Sequence, residues 1–321
     1  MIDSRLITLR VFASTGTIAE TAELTGYSPS AVSSQLRELQ KSLGIQLMTR
    51  DGRGVRLTST GRHFVTGLDA IVTEWEGLQA SALAAGSQVQ TRLGLGGFST
   101  AATSLLAPLA RDLRDSHPLV DVRVMEADPA RCLELLLAER IDLAVIVSSP
   151  AETVIEDKQK FSWTRLLDDP LDVILPSDHR FALRNSVALD ELTEEPWITG
   201  SPESIYHALF AAAFASVGVV PKVAHEAIEW ETMAAFVGAG LGVGLLPRLA
   251  TLGSVENVTR LRITGDTRPN RKIMAVCRRG SMDSPLIAQS LRILEARAKQ
   301  IVVQRLEEEH LDPGQLGVAA G

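Results

Sequence analysis

The chain has 321 residues, of which 45% are apolar and 22% charged. That length suits two or three domains, and that balance excludes wholesale disorder. The net charge of −7 excludes a uniformly basic nucleic-acid coat and leaves a local basic patch open.

Cys132 and Cys277 are the two cysteines, too few and too far apart for a disulfide framework or a zinc ribbon. The opening string MIDSRLITLRVFAST lacks the continuous apolar core of a signal peptide. Uncharged runs such as 232–247 are too short and glycine-rich to span a bilayer. These features predict a cytoplasmic protein.

Residues 1–62 differ from the rest. They hold eight Lys/Arg and five Asp/Glu, a net +3, which leaves −10 for 63–321. A basic head on an acidic body suggests nucleic acid. Leu6, Leu9, Arg10 and Phe12 suit a first helix, which Gly16 breaks. Thr17 caps a second helix through Ala22. Ser28 is a good N-cap and Pro29 a good first residue for a third helix, which runs to Leu43 and stops at Gly44.

In that third helix Val32, Leu36, Leu39 and Leu43 share one face. Ser30, Ser34, Arg37 and Lys41 take the opposite face, with Ser33 and Gln35 on the flanks. A helix in a major groove needs that chemistry: hydroxyls and an amide for base edges, cations for phosphates and guanine. Taken alone, the pattern equally describes an amphipathic helix with a solvated face. Next, Ile45–Met48 and Val55–Thr58 flank a glycine-rich turn and predict a hairpin. Its tip carries Arg50, Arg53 and Arg56, the make-up of a wing with Arg53 in the minor groove.

Residues 6–61, LRVFASTGTIAETAELTGYSPSAVSSQLRELQKSLGIQLMTRDGRGVRLTSTG from Leu9 on, resemble the DNA-binding domain of the LysR-type transcriptional regulators. The features that carry the resemblance are Phe12, Gly16, Ala22, Ser30 to Ser33, Leu39, Gly44, Leu47, Arg50, Leu57-Thr58 and Gly61. Thr21, Thr25, Gln40 and Met48 depart from the family pattern, and these swaps are expected to loosen the core without touching the DNA face. The resemblance implies double-stranded DNA as partner, read by Ser28, Pro29, Ser30, Ser33, Ser34, Gln35, Arg37, Lys41, Arg50, Arg53 and Arg56.

Residues 59–82 predict one long helix with Phe64, Leu68, Ile71, Trp75, Leu78 and Ala82 on one face. Such a stripe needs a partner. The resemblance implies the same helix of a second subunit, in a homodimer or homotetramer; packing on the chain's own body is the other reading. After a polar joint at 84–91 the pattern becomes strand–helix–strand. Strands are expected at 92–98, 120–126, 141–147, 171–175 and 272–277. Helices are expected at 101–114, 130–140, from 203 to before Gly218, from 230, and over 284–309. This is an α/β body with parallel strands.

The body again resembles the family through TRLGLGGFS, HPLVDVRVMEAD, LELLLAERIDLAVIV and MAAFVGAGLGVGLLPR. The resemblance implies a winged helix-turn-helix head (1–62), a linker helix (63–88) and two α/β lobes like a solute-binding protein. Lobe one takes 89–165 and 266–300, lobe two takes 166–265, and 301–321 forms a helix end and tail. A small-molecule effector in the cleft between lobes, and contact with RNA polymerase, are implied with it.

Ser99 and Thr100 follow a strand and precede a helix, where hydroxyls and backbone N–H groups suit an anion such as a carboxylate. Plain capping would need no ligand. Gly200 and Ser201 repeat the arrangement, and Ser148 follows another strand. Glu226, with Glu229 and Glu231, would instead favour an amino group, although a solvated helix start explains them as well. The glycine strings 94–97 and 238–244 lack the acidic residue of a dinucleotide site, the six histidines show no metal spacing, and no nucleophile elbow occurs. No cofactor, metal or catalytic residue is expected. The rival readings are a nucleotide-dependent α/β enzyme with an appended head, and a solute-binding module whose head only dimerises.

Overall fold

Left-handed glycines and side-chain caps delimit the head in the computed structural model. The structure describes residues 2–52, 54–86, 92–148, 157–202, 204–265 and 268–310. Arg53, part of the joint at 87–91, Asp266 and residues 311–321 lie outside the described residues.

Helix α1 spans Ser4–Thr15 and ends at Gly16, whose φ is +75°. Helix α2 spans Ile18–Thr25, starts from Thr17, which accepts from the Glu20 amide, and ends at Gly26. Helix α3 spans Pro29–Leu43, capped by the Ser28 hydroxyl and stopped by Gly44. Leu9, Phe12, Leu24, Val32, Leu36, Leu39 and Leu47 are buried between these helices. Each such side chain contributes roughly 1.5–3 kcal/mol of burial. Leu43 departs from the expected stripe: at the last turn of α3 it is exposed.

The wing is a hairpin of β1, Met48–Asp51, and β2, Gly54–Leu57. Its strands lie closer to the turn than the apolar segments suggest. Arg50 pairs with Val55 and Arg56 with Thr49, so both arginines belong to the strands and not to the tip.

Three of the four departures from the family pattern make hydrogen bonds within the head. Thr21 is buried, and its hydroxyl meets the Thr17 carbonyl at 2.6 Å and the Thr15 hydroxyl at 2.9 Å. Thr25 donates to the Thr21 carbonyl at 2.7 Å. Gln40 Oε1 accepts the Leu47 and Met48 amides at 3.0 and 3.1 Å, which ties α3 to the start of the wing.

Two compact units make up the chain: 1–146, 156–166 and 274–321 form the first, and 147–155 with 167–273 the second. The first unit therefore holds the head as well as an α/β layer. Helix α4, Ser59–Ala85, follows the wing, capped by Thr58, which accepts from the Gly61 amide. A Cβ at Gly61 would overlap the Leu47 carbonyl, so the helix starts hard against the wing.

The expected dimer stripe of α4 splits. Leu68 is 3% exposed and packs with Val65 and Val72 in the core of its own chain, whereas Ile71 and Leu78 are 59% and 62% exposed. The own-body reading thus holds for one face of α4. Gly280 presses the same helix, where a Cβ would collide with Thr73 and Glu76.

The α/β layer of the first unit has β3, Arg92–Gly97, between β4, Asp121–Glu126, and β5, Leu143–Ser148, all parallel. Helix α5, Ser99–Ala101, runs through a π turn, Ala102–Leu106, into α6, Ala107–Ser116. Helix α7 spans Pro129–Leu137. Two strands carry the chain across to the second unit and back: β6, Phe161–Pro176, and β12, Asn270–Arg278.

The second unit adds β7, Ser186–Val187; β8, Pro196–Thr199; α8, Ile205–Ser216; β9, Lys222–Glu226; α9, Trp230–Gly238; β10, Val243–Pro247; and β11, Val258–Ile263. β8 lies parallel to β9 and β10, and β6 antiparallel to β10. Trp197 anchors this core, edge-on to Phe214 at 4.8 Å and to Phe210 at 5.6 Å. Helix α10, Pro285–His310, closes on the first unit through Arg297 and Asp112, 2.9 Å apart.

Candidate DNA-binding and effector sites

The outer surface of α3 is built by what its inner surface buries. With Val32, Leu36 and Leu39 turned inward, Ser30, Arg37 and Lys41 stand exposed, as do Ser28 and Pro29 at the first turn. The Ser28 hydroxyl accepts the Ala31 amide at 3.2 Å and meets the Ser30 hydroxyl at 3.0 Å. The flanking residues are half-buried and partly committed. Gln35 Oε1 accepts the Thr8 hydroxyl at 2.7 Å, which leaves its amide N–H groups for a base. Ser34 donates to Glu38 at 2.9 Å, and Ser33 is half-buried.

Arg50 and Arg56 are exposed on the wing, Arg56 within 3.5 Å of Asp51. Tyr27, 42% exposed just before the cap of α3, adds an aromatic ring to this surface; only its place before Ser28 marks it in the sequence. The surface thus offers hydroxyls and a phenol at a helix N-terminus, cations farther along, and two arginines on the wing. That set meets the needs of phosphate contacts and base edges.

The candidate effector residues divide between the units. In the first, Phe98 is the N-cap of α5, so Ser99 and Thr100 lie inside the first turn and not before it. Thr100 is 4% exposed and Ser99 half-buried. The π turn that follows widens the helix by one residue at that point. Ser148, half-buried, ends β5 and already belongs to the second unit.

In the second unit, Thr199 ends β8 opposite Glu226 of β9. Thr199 is 1% exposed, and its Oγ1 has no hydrogen-bond partner among the described residues. A buried hydroxyl left unpaired costs about 1–3 kcal/mol, so a ligand group that pairs it would gain that amount. Thr199 carried no mark in the sequence beyond its place before Gly200. A Cβ on Gly200 would stand 2.5 Å from Ser204 Oγ, so glycine keeps the turn into α8 tight. Ser201 spends its carbonyl on the Ser204 hydroxyl at 2.7 Å, and Ser204 caps the His207 amide. Glu226 belongs to β9 and is exposed; Glu229 is the N-cap of α9 but makes no side-chain cap bond.

The remaining chemistry points inward. Burial pushes the Cys132 thiol up to about 12 and the Cys277 thiol to about 11. Tyr206, also raised by burial, donates to the Leu245 carbonyl. No His/Cys/Asp/Glu group among the described residues could hold a metal ion, and no described helix is long and apolar enough to cross a membrane.

Comparison with known proteins agrees with this geometry. Residues 4–62 match the model of the bacterial regulatory helix-turn-helix protein, LysR family, and residues 86–299 that of the LysR substrate binding domain. The chain is 30% identical over 240 residues to the HTH-type transcriptional regulator TtuA of Agrobacterium vitis, covering 74% of this chain and 77% of that protein. It is 28% identical to CysB of Burkholderia cenocepacia over 240 residues, 73% of each chain. Full-length OxyR from Pseudomonas aeruginosa shares the fold with a TM-score of 0.63 at 19% identity, over 92% of this chain and 96% of that one. Hydrogen peroxide-bound OxyR of Corynebacterium glutamicum does so at 0.59 and 23% identity, over 96% of both. The chain belongs to the LysR family: it is a transcriptional regulator with a helix-turn-helix DNA-binding head and an effector-binding α/β domain, not an enzyme.

Proposed function

We propose that this regulator binds a two-fold operator in double-stranded DNA as a homodimer or homotetramer in the cytoplasm. A small-molecule effector taken by its α/β domain modulates its contact with RNA polymerase. The observation that carries the DNA reading is the surface of α3, where Ser30, Arg37 and Lys41 are exposed over a buried Val32, Leu36 and Leu39. Arg37, Lys41, Arg50 and Arg56 hold phosphates; Ser28, Pro29, Ser30, Ser33, Ser34 and Gln35 lie against bases or nearby phosphates; Arg53 enters the minor groove. Domain limits follow from the same reading: head 1–62, linker 63–88, lobe one 89–165 and 266–300, lobe two 166–265.

The effector is a small carboxylate-bearing molecule. Hydroxyls of Ser99 and Thr100 at a helix start support an anion, and the unpaired Thr199 hydroxyl beside Gly200 and Ser201 supports a further polar group. Ser148 and Glu226 complete the set. Calorimetric titration with a panel of carboxylic acids, amino acids and amines tests this; binding confined to the amines would overturn it. Ile71, Trp75 and Leu78 carry the subunit contact, with Ile71 and Leu78 its exposed part, whereas Phe64 packs with Leu68 against the core of its own chain.

A further inference from the structure

The head is seated on the α/β layer of its own chain. Cys132, Leu135 and Leu136 of α7 belong to the same buried cluster as Leu9, Phe12 and Leu24 of the head. Two arginines frame this seam. Arg131 Nη2 donates to Glu23 Oε1 at 2.6 Å, and Arg140 Nη1 donates to the Leu24 carbonyl at 3.3 Å. The Arg140 guanidinium also lies 2.8 Å from where a Cβ on Gly26 would stand. Glu23, Leu24 and Gly26 form the end of α2 and the turn into α3, so the contact falls on the helix-turn-helix corner itself. Ser30, Arg37 and Lys41 remain exposed, and the seam therefore holds the head without covering its DNA surface.

Linker contacts reach the same body. Asp69 of α4 meets Arg10 of the head at 2.7 Å and Lys160, just before β6, at 3.7 Å. Glu76, two turns on, meets Arg278, the last residue of β12, at 2.6 Å. The last residue of β12 and the residue just before β6 thus both meet acidic residues of the linker helix.

We propose that the head is a docked arm of the first α/β unit, and that the α2–α7 seam, not the linker helix alone, fixes the separation of the two recognition helices on DNA. This rests on the dimeric DNA-binding reading above and adds the element that sets operator spacing. The Arg10–Asp69 pair and the packing of Val65, Leu68 and Val72 hold the head to α4, and the seam adds a second hold at α2. Buried apolar contact and the bonds from Arg131 and Arg140 make this seam.

Arg131→Glu sets like charges together at Glu23, and adding Glu23→Arg restores an attractive pair. Both side chains are partly exposed, at 30% and 70%, so the fold tolerates either change. Two readouts decide. Amide exchange in α2 and α7 should rise about tenfold in Arg131→Glu and return in the double variant. On duplexes carrying two copies of the half-site selected from genomic DNA, at graded separations, the wild type should hold one separation, Arg131→Glu several, and the double variant one. Unchanged exchange, or one unchanged separation in Arg131→Glu, would overturn the proposal. A wild type that selects no half-site overturns the DNA-binding reading, and this proposal falls with it.

Discussion

The Arg10 guanidinium on α1 donates to Asp69 on α4 at 2.7 Å, with side chains only 4% and 11% exposed. This pair joins the head to the linker through a site closed to water. Removing one member leaves the other charge buried and unpaired, which costs about 3–5 kcal/mol. Asp69→Ala should lower the unfolding midpoint in urea accordingly, and more than Lys160→Ala, whose partly exposed amine stands at 3.7 Å. Equal effects of the two would show that the buried pair is not the stronger tie.

Gln40 closes the loop between α3 and the wing by accepting two backbone amides. Gln40→Leu strands both donors, at a cost of about 1–3 kcal/mol. Amide exchange at Leu47 and Met48 should quicken while that of α1 stays slow. Unaltered exchange at these two amides would remove the role assigned to Gln40.

On DNA, the cations of the head should divide by function. Lys41→Ala should weaken every sequence alike and lessen the salt slope by about one. Arg53→Ala should cost roughly 1–3 kcal/mol on the specific site and little elsewhere. Binding titrations at several salt concentrations read both, and an unchanged footprint for Arg53→Ala would show that the wing does not enter the groove.

Burial raises the Cys132 and Cys277 thiols from 9.0 to about 12 and about 11, so the native state holds its protons longer than the unfolded chain. The resulting stabilisation is complete below pH 9.0 and is lost as pH rises towards these folded values. A thiol reagent at pH 8 should label the chain in urea and leave the native protein unlabelled. Rapid native labelling would show the thiols to be accessible.

Ile71→Asp and Leu78→Asp should dissociate the oligomer in sedimentation without lowering the melting temperature, since both side chains point to solvent. Leu68→Asp should instead unfold the first unit, because Leu68 lies in its core.

The head is almost wholly legible in its sequence. Gly16, Thr17, Ser28, Pro29 and Gly44 are local signals, and each acts where it stands. The α4 stripe is legible as a stripe only: one helix presents two apolar faces, and which face its own chain covers depends on Gly280 and α1, far away in sequence. Strand β9 escapes because each of its residues is exposed, which erases the alternation that would mark it. Thr199 escapes for a different reason. A threonine that ends a strand is common, and only three-dimensional burial without a hydrogen-bond partner among the described residues sets this one apart.

The most direct test of the account is selection of bound fragments from sheared DNA of the source genome, with wild type and Arg37→Ala/Lys41→Ala compared at moderate salt. The account predicts enrichment of a two-fold site by the wild type and its loss in the variant. A flat profile from folded wild-type protein, or equal enrichment by both, would contradict the assignment of α3 as the reading helix.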